Sequence, residues 1–286
     1  MRDYKLNNGK AIPAVGLGTW LIDDDKVSDV VENAIRLGYR HIDTAQAYEN
    51  ETGVGVGIRR SGVDRDDLFI TTKIRAEYKD YDSAKKSIDE SLAKMQLDYL
   101  DLVIIHSPQP WDEFRETDNY YYKENLDVWK ALEDSYKEGK VKAIGVSNFH
   151  INDLKNIIDN CEIKPMVNQV LSHVGQTPFD IINYCGENNI LVEAYSPIAH
   201  GEAEKIKEVV EIGKKYNKTF AQISLQYQLQ LGCVVLPKAS SIEHLKSNLD
   251  LDFTISDDDM AILNNVKPLD DYGAHDFFPV FKHSGE

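Results

Sequence analysis

Residues 68–106, "LFITTKIRAEYKDYDSAKKSIDESLAKMQLDYLDLVIIH", contain one complete strand–helix–strand unit. "LFITTKI" (68–74) is a strand-like apolar run, Asp82 to Met95 has helical periodicity, and "YLDLVIIH" (99–106) is a second run. Strands that alternate with helices of this length form βαβ crossovers and a parallel sheet.

The same unit repeats in both directions. "AVGLG" and "YRHID" flank a periodic segment from Lys26 to Leu37. Leu126 to Glu138 precedes "KAIGVSN", Ile151 to Asp159 follows it, and "MVNQV" precedes Phe179 to Glu187. "ILVEAYSP" is followed by periodic stretches at Glu202 to Tyr216 and Phe220 to Gln230, and "CVVLPK" by Ile242 to Asn248. Ser256 to Asn264 reads as a final helix before an aromatic-rich tail from Leu269, and the other long loop is Gln109 to Lys123. "YKLNNGKAIPAVG" reads as an N-terminal β-hairpin joined at Asn8-Gly9, a dipeptide that tolerates positive φ. Eight strand-like runs with no break in composition predict α/β architecture, a single (β/α)8 TIM barrel spanning residues 1–286 as one domain. The competitor is an open doubly wound sheet, which would place GxGxxG after its first strand. Here "GLGTWL" lacks the third glycine, and "GVGVG" at 53–57 follows no strand.

Bulk properties exclude several classes. The net charge of −16 would be repelled by nucleic acid or an anionic membrane, so neither is an expected partner. No run of about 18 apolar residues exists and the N-terminus is polar, so no spanning or signal segment is expected. Cys161, Cys185 and Cys233 are widely separated, which argues against a disulfide framework or zinc site and for a cytoplasmic location. No metal is expected, and the default oligomeric expectation is a monomer.

In a barrel, a polar residue at the C-terminal end of a strand faces the mouth where chemistry is done. The runs here end at Asp43, Lys73, His106, Ser147 and Asn148, Asn168 and Gln169, Glu193 and Tyr195, and Lys238. Singly, Asp43 reads as a helix cap, Lys73 as a snorkelling strand-end lysine and His106 as a hydrogen-bonded core histidine. Jointly, an acid, a lysine and a histidine on three successive strand ends converge on one patch, with Tyr48 on the loop beyond the first. A phenol of pKa about 10 is a weak acid near neutrality. An adjacent ammonium stabilises its phenolate, a carboxylate fixes the ammonium, and a neutral imidazole can align a carbonyl. That set performs general-acid catalysis on a carbonyl oxygen and needs a hydride donor no side chain supplies.

These residues identify a resemblance that covers essentially the whole chain. "GLGTW", "YRHIDTAQAYENE", "ITTK", "LVIIH", "IGVSNF", "VNQV", "EAYSPI" and "LPKAS" resemble, in order, the strand ends of the aldo-keto reductase family. The resemblance implies a barrel that binds NADPH without a Rossmann domain and reduces an aldehyde or ketone to an alcohol. It implies Tyr48 as general acid, Lys73 as the group lowering its pKa, Asp43 as the holder of Lys73, and His106 as the group orienting the carbonyl. Ser147, Asn148 and Gln169 would hold the carboxamide and Tyr195 would stack on the ring. Ser196 and Ile198 would start the pyrophosphate loop, and Gly18, Thr19 and Asp43 would line the cofactor's other side. Lys238, Ser240, His244 and Asn248 would reach the adenosine end. Trp20, Tyr48, His106 and Trp111 would contact substrate.

The chain departs from the family pattern where Ala239 follows Lys238, where His244 stands in place of an arginine, and where Ser247 replaces a glutamate near the adenine. Losing a guanidinium removes bidentate phosphate recognition, so NADPH is expected with NADH as a weaker or comparable alternative. Ser107, where many relatives have tryptophan, should open the pocket unless Trp111 fills it. Phe114, Tyr120 to Tyr122, Phe277 and Phe278 are further candidates for the pocket wall, on loops of the kind that set specificity. Two other readings remain. A barrel could bind the cofactor without turnover, in a binding or structural role. A short-chain dehydrogenase would use YxxxK, which Tyr81/Lys85 and Tyr136/Lys140 fit without a glycine fingerprint. Asp43 is then a partner of Lys73, and Asn50 the better cap for the helix after Tyr48.

Overall fold

The computed structural model describes residues 2–269 and 271–282. An antiparallel pair, β1 (Asp3–Lys5) and β2 (Ala11–Pro13), precedes the barrel. Only Gly9 of its turn takes positive φ, +88°, and Leu6 and Lys10 close it through the Leu6 amide and Lys10 carbonyl at 2.9 Å. The barrel strands are β3 (Gly16–Gly18), β4 (His41–Asp43), β5 (Phe69–Ile74), β6 (Leu102–Ile105), β7 (Ile144–Ser147), β8 (Val167–Leu171), β9 (Leu191–Tyr195) and β10 (Val234–Leu236). All pair in parallel in chain order. Parallel bridges between Val15 and Val235 and between Gly18 and Lys238 join the last strand to the first and close the ring. The helices are α1 (Asp24–Leu37), α2 (Glu51–Ser61), α3 (Tyr81–Met95), α4 (Tyr122–Lys137), α5 (Ile151–Asn160), α6 (Phe179–Glu187), α7 (Lys207–Tyr216), α8 (Phe220–Gln230), α9 (Ile242–Ser247), α10 (Asp257–Asn264) and α11 (Pro279–Lys282).

Periodicity explains which faces are buried. On α1, Val27, Val30, Val31, Ala34 and Ile35 form the apolar stripe, and Gly38 ends the helix at φ 114°. The "GVGVG" run lies on α2, where added side chains would collide with neighbours. A Cβ on Gly57 would sit 2.6 Å from Ser28 O of α1, and one on Gly53 would strike Asp24 O. These glycines therefore serve close helix packing. Along the strands, side chains two apart share a face. Lys73 and Thr71 on β5 thus meet Asp43 and His41 on β4 inside the barrel, while Thr72 points out to Glu51 of α2, 2.7 Å away.

Three expected local features differ. Glu202 to Tyr216 is not one helix: a 3-10 stretch, Ala199–Lys205, carries positive φ at His200 (55°) and Gly201 (98°), and α7 begins only at Lys207. Asn50 occupies the N-terminal boundary of α2 without capping it. Its side chain instead accepts from Thr44 Oγ1 at 2.7 Å and donates to the Thr19 and Ile22 carbonyls, both at 2.9 Å. Ser256 is the cap of α10 rather than its first turn, accepting from the Asp259 amide.

Candidate active site

Asp43, Lys73 and Tyr48 meet at the barrel mouth. Lys73 donates to Asp43 Oδ2 at 2.6 Å, to the Thr44 carbonyl at 2.8 Å and to the Tyr48 hydroxyl at 3.3 Å. An ammonium has three donors, so all three are engaged, and Lys73 is only 1% exposed. Burial works against its charge, but Asp43 and then Tyr48 outweigh it and raise the pKa above the ordinary lysine value. Because Lys73 donates to the Tyr48 oxygen, the tyrosine keeps its own O–H for another acceptor.

Tyr48 is held over the mouth by a 3-10 turn, Gln46–Tyr48. The buried Gln46 pins that turn to α3 through Ser87 and Ser91, each at 3.1 Å, and accepts from the Arg75 amide at 3.0 Å. The segment Thr44 to Ala47 is thus an anchored element rather than a plain linker. Burial pushes the Tyr48 phenol above its ordinary value, and the Lys73 ammonium pulls it back without cancelling the rise. Lys73 thus acts on the phenol in the expected direction, lowering its pKa, while desolvation of the phenolate works against it.

His106 follows β6 and lies edge-on to the Tyr48 ring, with centroids 5.6 Å apart. Burial, then the Lys73 and Arg75 charges, hold its pKa well below the ordinary histidine value, so the ring is neutral. Its Nδ1 has no hydrogen-bond partner among the described residues. Trp111 also stands edge-on to His106, with centroids 5.2 Å apart, and Ser107 is buried.

A cleft of about 380 Å³ opens above these groups. Its lining includes Gly18, Trp20, Asp43, Tyr48, His106 and Trp111, then Ser147, Asn148, Gln169, Tyr195, Ser196 and Ile198, and finally Lys238, Ser240 and His244. Lys73 lies beneath it. Two expected cofactor contacts are not in the lining. Thr19 is fully buried, with Oγ1 donating to the Asp43 carbonyl at 2.9 Å, and Asn248 is buried against Tyr39. The Tyr195 hydroxyl donates to Asn148 Oδ1 at 2.7 Å, and Asn148 reaches the His106 carbonyl at 3.0 Å. Gln169 Nε2 donates to Asp43 Oδ1 and to Glu193 Oε2, both at 2.8 Å.

The roof came less readily from the sequence. His200, His275 and Phe281 line the cleft with Trp20 and Phe278, and no strand-end pattern announces them. His200 stacks on His275 at 3.9 Å, and Trp20 packs on Phe278 at 5.4 Å. The aromatic composition of the tail was the only signal. Phe277, by contrast, is 64% exposed. Phe114 and Tyr120 border a second cleft of about 470 Å³, which lacks Tyr48 and His106, and Tyr120 stacks on Tyr122 at its exposed edge.

The sequence also matches the family model described as the Aldo/keto reductase family over residues 14–268. It is 41% identical over 258 residues to a glyoxal reductase of Bacillus subtilis, covering 90% of this chain and 89% of that one. It is 35% identical over 260 residues to the methylglyoxal reductase DkgA of Escherichia coli K12, covering 90% of each. Among solved structures, an aldo-keto reductase of Bombyx mori in complex with NADP superposes with a TM-score of 0.86 at 30% identity, covering 98% of both chains. A parallel barrel with a buried acid–lysine–tyrosine set at its mouth is the class defined by fold and site. The chain belongs to the aldo/keto reductase family.

Proposed function

We propose that this protein reduces small, uncharged aldehydes and α-dicarbonyls to alcohols with NADPH. The observation carrying this reading is the Lys73–Tyr48 contact, in which the lysine donates and the phenol keeps its proton for a substrate oxygen. The residues present fit the cofactor. Gln169 Nε2 is spent on two carboxyl groups, which leaves Oε1 to accept from a carboxamide. The Tyr195 ring is fixed through its hydroxyl, and Lys238 and His244 are exposed at the cleft's far end, where a phosphate would find positive charge.

When bound, the reduced nicotinamide supplies the hydride. The neutral His106 orients the carbonyl, and Tyr48 delivers its hydroxyl proton to the carbonyl oxygen. Lys73 stabilises the phenolate that remains, and Asp43 keeps Lys73 charged and in place. Trp20, Trp111 and Phe278 give the substrate half apolar walls, and Lys238, the one lysine lining the cleft among the described residues, lies on the opposite, β10 side. A carboxylated substrate would therefore lose hydration without gaining a counter-ion. The relatives named for glyoxal and methylglyoxal agree with this substrate class.

The test is NADPH consumption with glyoxal, methylglyoxal and a keto acid. Turnover of the first two and little of the third is expected. Binding of NADPH with no turnover of any carbonyl would restore the non-catalytic reading. The same proposal treats residues 1–286 as one domain acting as a cytoplasmic monomer, which a single calorimetric transition and a monomeric sedimentation mass would support.

A further inference from the structure

Glu193 is an acid in the barrel interior that the proposed mechanism does not use. It sits on β9, is 0% exposed, and its register neighbour on β10 is Val234. Four polar groups face it. Gln169 from β8 donates to Oε2 at 2.8 Å, His41 from β4 lies 3.8 Å from Oε1, and Asp43 of β4 and Lys73 of β5 act on it through space. Oε1 has no hydrogen-bond partner among the described residues. The adjacent Asp43 is already matched by Lys73, so a second buried negative charge would have no counter-ion. Burial, with Asp43 beside it, pushes the Glu193 carboxyl up to about 8, and burial brings His41 down to about 4. Near neutrality the interior therefore holds one ion pair and two neutral groups.

The Gln169 amide explains why an acid stands there. Its two N–H groups each need an acceptor, and they have Asp43 on one side and Glu193 on the other. Both acceptors lie inside the barrel, so the amide is oriented nitrogen-inward and presents Oε1 toward the cleft. With only Asp43 as acceptor, the amide could turn and offer a donor, which cannot bind a carboxamide N–H.

We propose that Glu193 is a positioning residue for cofactor binding: by accepting from Nε2 opposite Asp43, it fixes the Gln169 amide with its oxygen toward the nicotinamide. This rests on the reading that Gln169 receives the carboxamide.

The experiment measures the NADPH dissociation constant by fluorescence, and kcat at saturating NADPH. The variants are Glu193→Gln, Glu193→Leu and, as a control, Gln169→Ala. Glu193→Gln, whose amide oxygen can still accept from Gln169, should bind NADPH within about twofold of wild type. Glu193→Leu should weaken NADPH about tenfold at neutral pH, the size of one positioned hydrogen bond, with kcat within about twofold. If Gln169→Ala binds NADPH as wild type does, the carboxamide reading fails. If Gln169→Ala weakens binding while Glu193→Leu does not, the role of Glu193 is overturned. Should Glu193→Leu not fold, Glu193→Met takes its place with the same two outcomes.

Discussion

On the floor of the cleft, Lys73 has all three donors engaged, Asp43 accepts from Lys73 and Gln169, and Gln46 bolts the Tyr48 turn to a helix. In the roof, Trp20, His275, Phe278 and Phe281 meet through ring contacts at 5.4 to 6.5 Å, supplied by loops and the C-terminal tail. Directional bonds tolerate little displacement, whereas apolar ring packing can rearrange at small cost. On the proposed function, the floor holds the reacting atoms in place and the roof adjusts to the substrate.

The sharpest way to break this contrast is Tyr48→Phe. Reduction should fall by about 10²–10⁴-fold, the usual contribution of a positioned acid, with NADPH affinity nearly unchanged. Retained turnover would remove the floor's catalytic meaning. Next comes Lys73→Met, which leaves Asp43 buried and unpaired. Losing one partner of such a pair costs about 3–5 kcal/mol, so thermal unfolding should shift strongly downward together with kcat. The exposed Lys26–Asp23 pair has the same 2.6 Å length, and Lys26→Ala should leave the melting temperature unchanged, since both partners are solvated.

Roof substitutions should act on a smaller scale and on a different parameter. Trp111→Ala is expected to raise KM for methylglyoxal by roughly tenfold, in line with losing the buried part of one aromatic wall, while improving bulky aromatic aldehydes. An equal fall of kcat for every aldehyde would instead place Trp111 with the floor. The smallest effect should be that of pH on kcat. His106 is shifted down and stays neutral above about pH 6, and Tyr48 is shifted up and stays protonated, so kcat for reduction should be flat from about pH 6 to 9. Alcohol oxidation, which needs the phenolate, should rise with pH over the same span.

The same division marks what the sequence disclosed. Asp43, Lys73 and His106 were legible because each ends an apolar run, and strand ends of a parallel barrel converge whatever the loops do. The eight strands followed from the same alternation, and helices such as Asp24–Leu37 and Ile151–Asn160 had clear periodicity. His200 and His275 were not legible, since their stack joins positions 75 residues apart in irregular segments, where no period links neighbours in space. The break before α7 was missed because positive φ at His200 is a tertiary choice, not a propensity. Thr19 was assigned to the cofactor side, but nothing local could say that its hydroxyl turns to the Asp43 carbonyl.

The closure of the barrel couples the two ends of the ring to its ligand. The Gly18 amide donates to the Pro237 carbonyl at 3.1 Å, and the bridge from Gly18 runs to Lys238, the residue we propose meets a phosphate. The seam between the first and last staves is thus also one wall of the cleft. A ligand held by Lys238 binds only the zipped form, so each increment of its binding energy is added to the opening energy of the seam. Amides of Gly18 and Val235 should report this as slowed hydrogen exchange on nucleotide binding, the seam being the joint that the nucleotide locks shut.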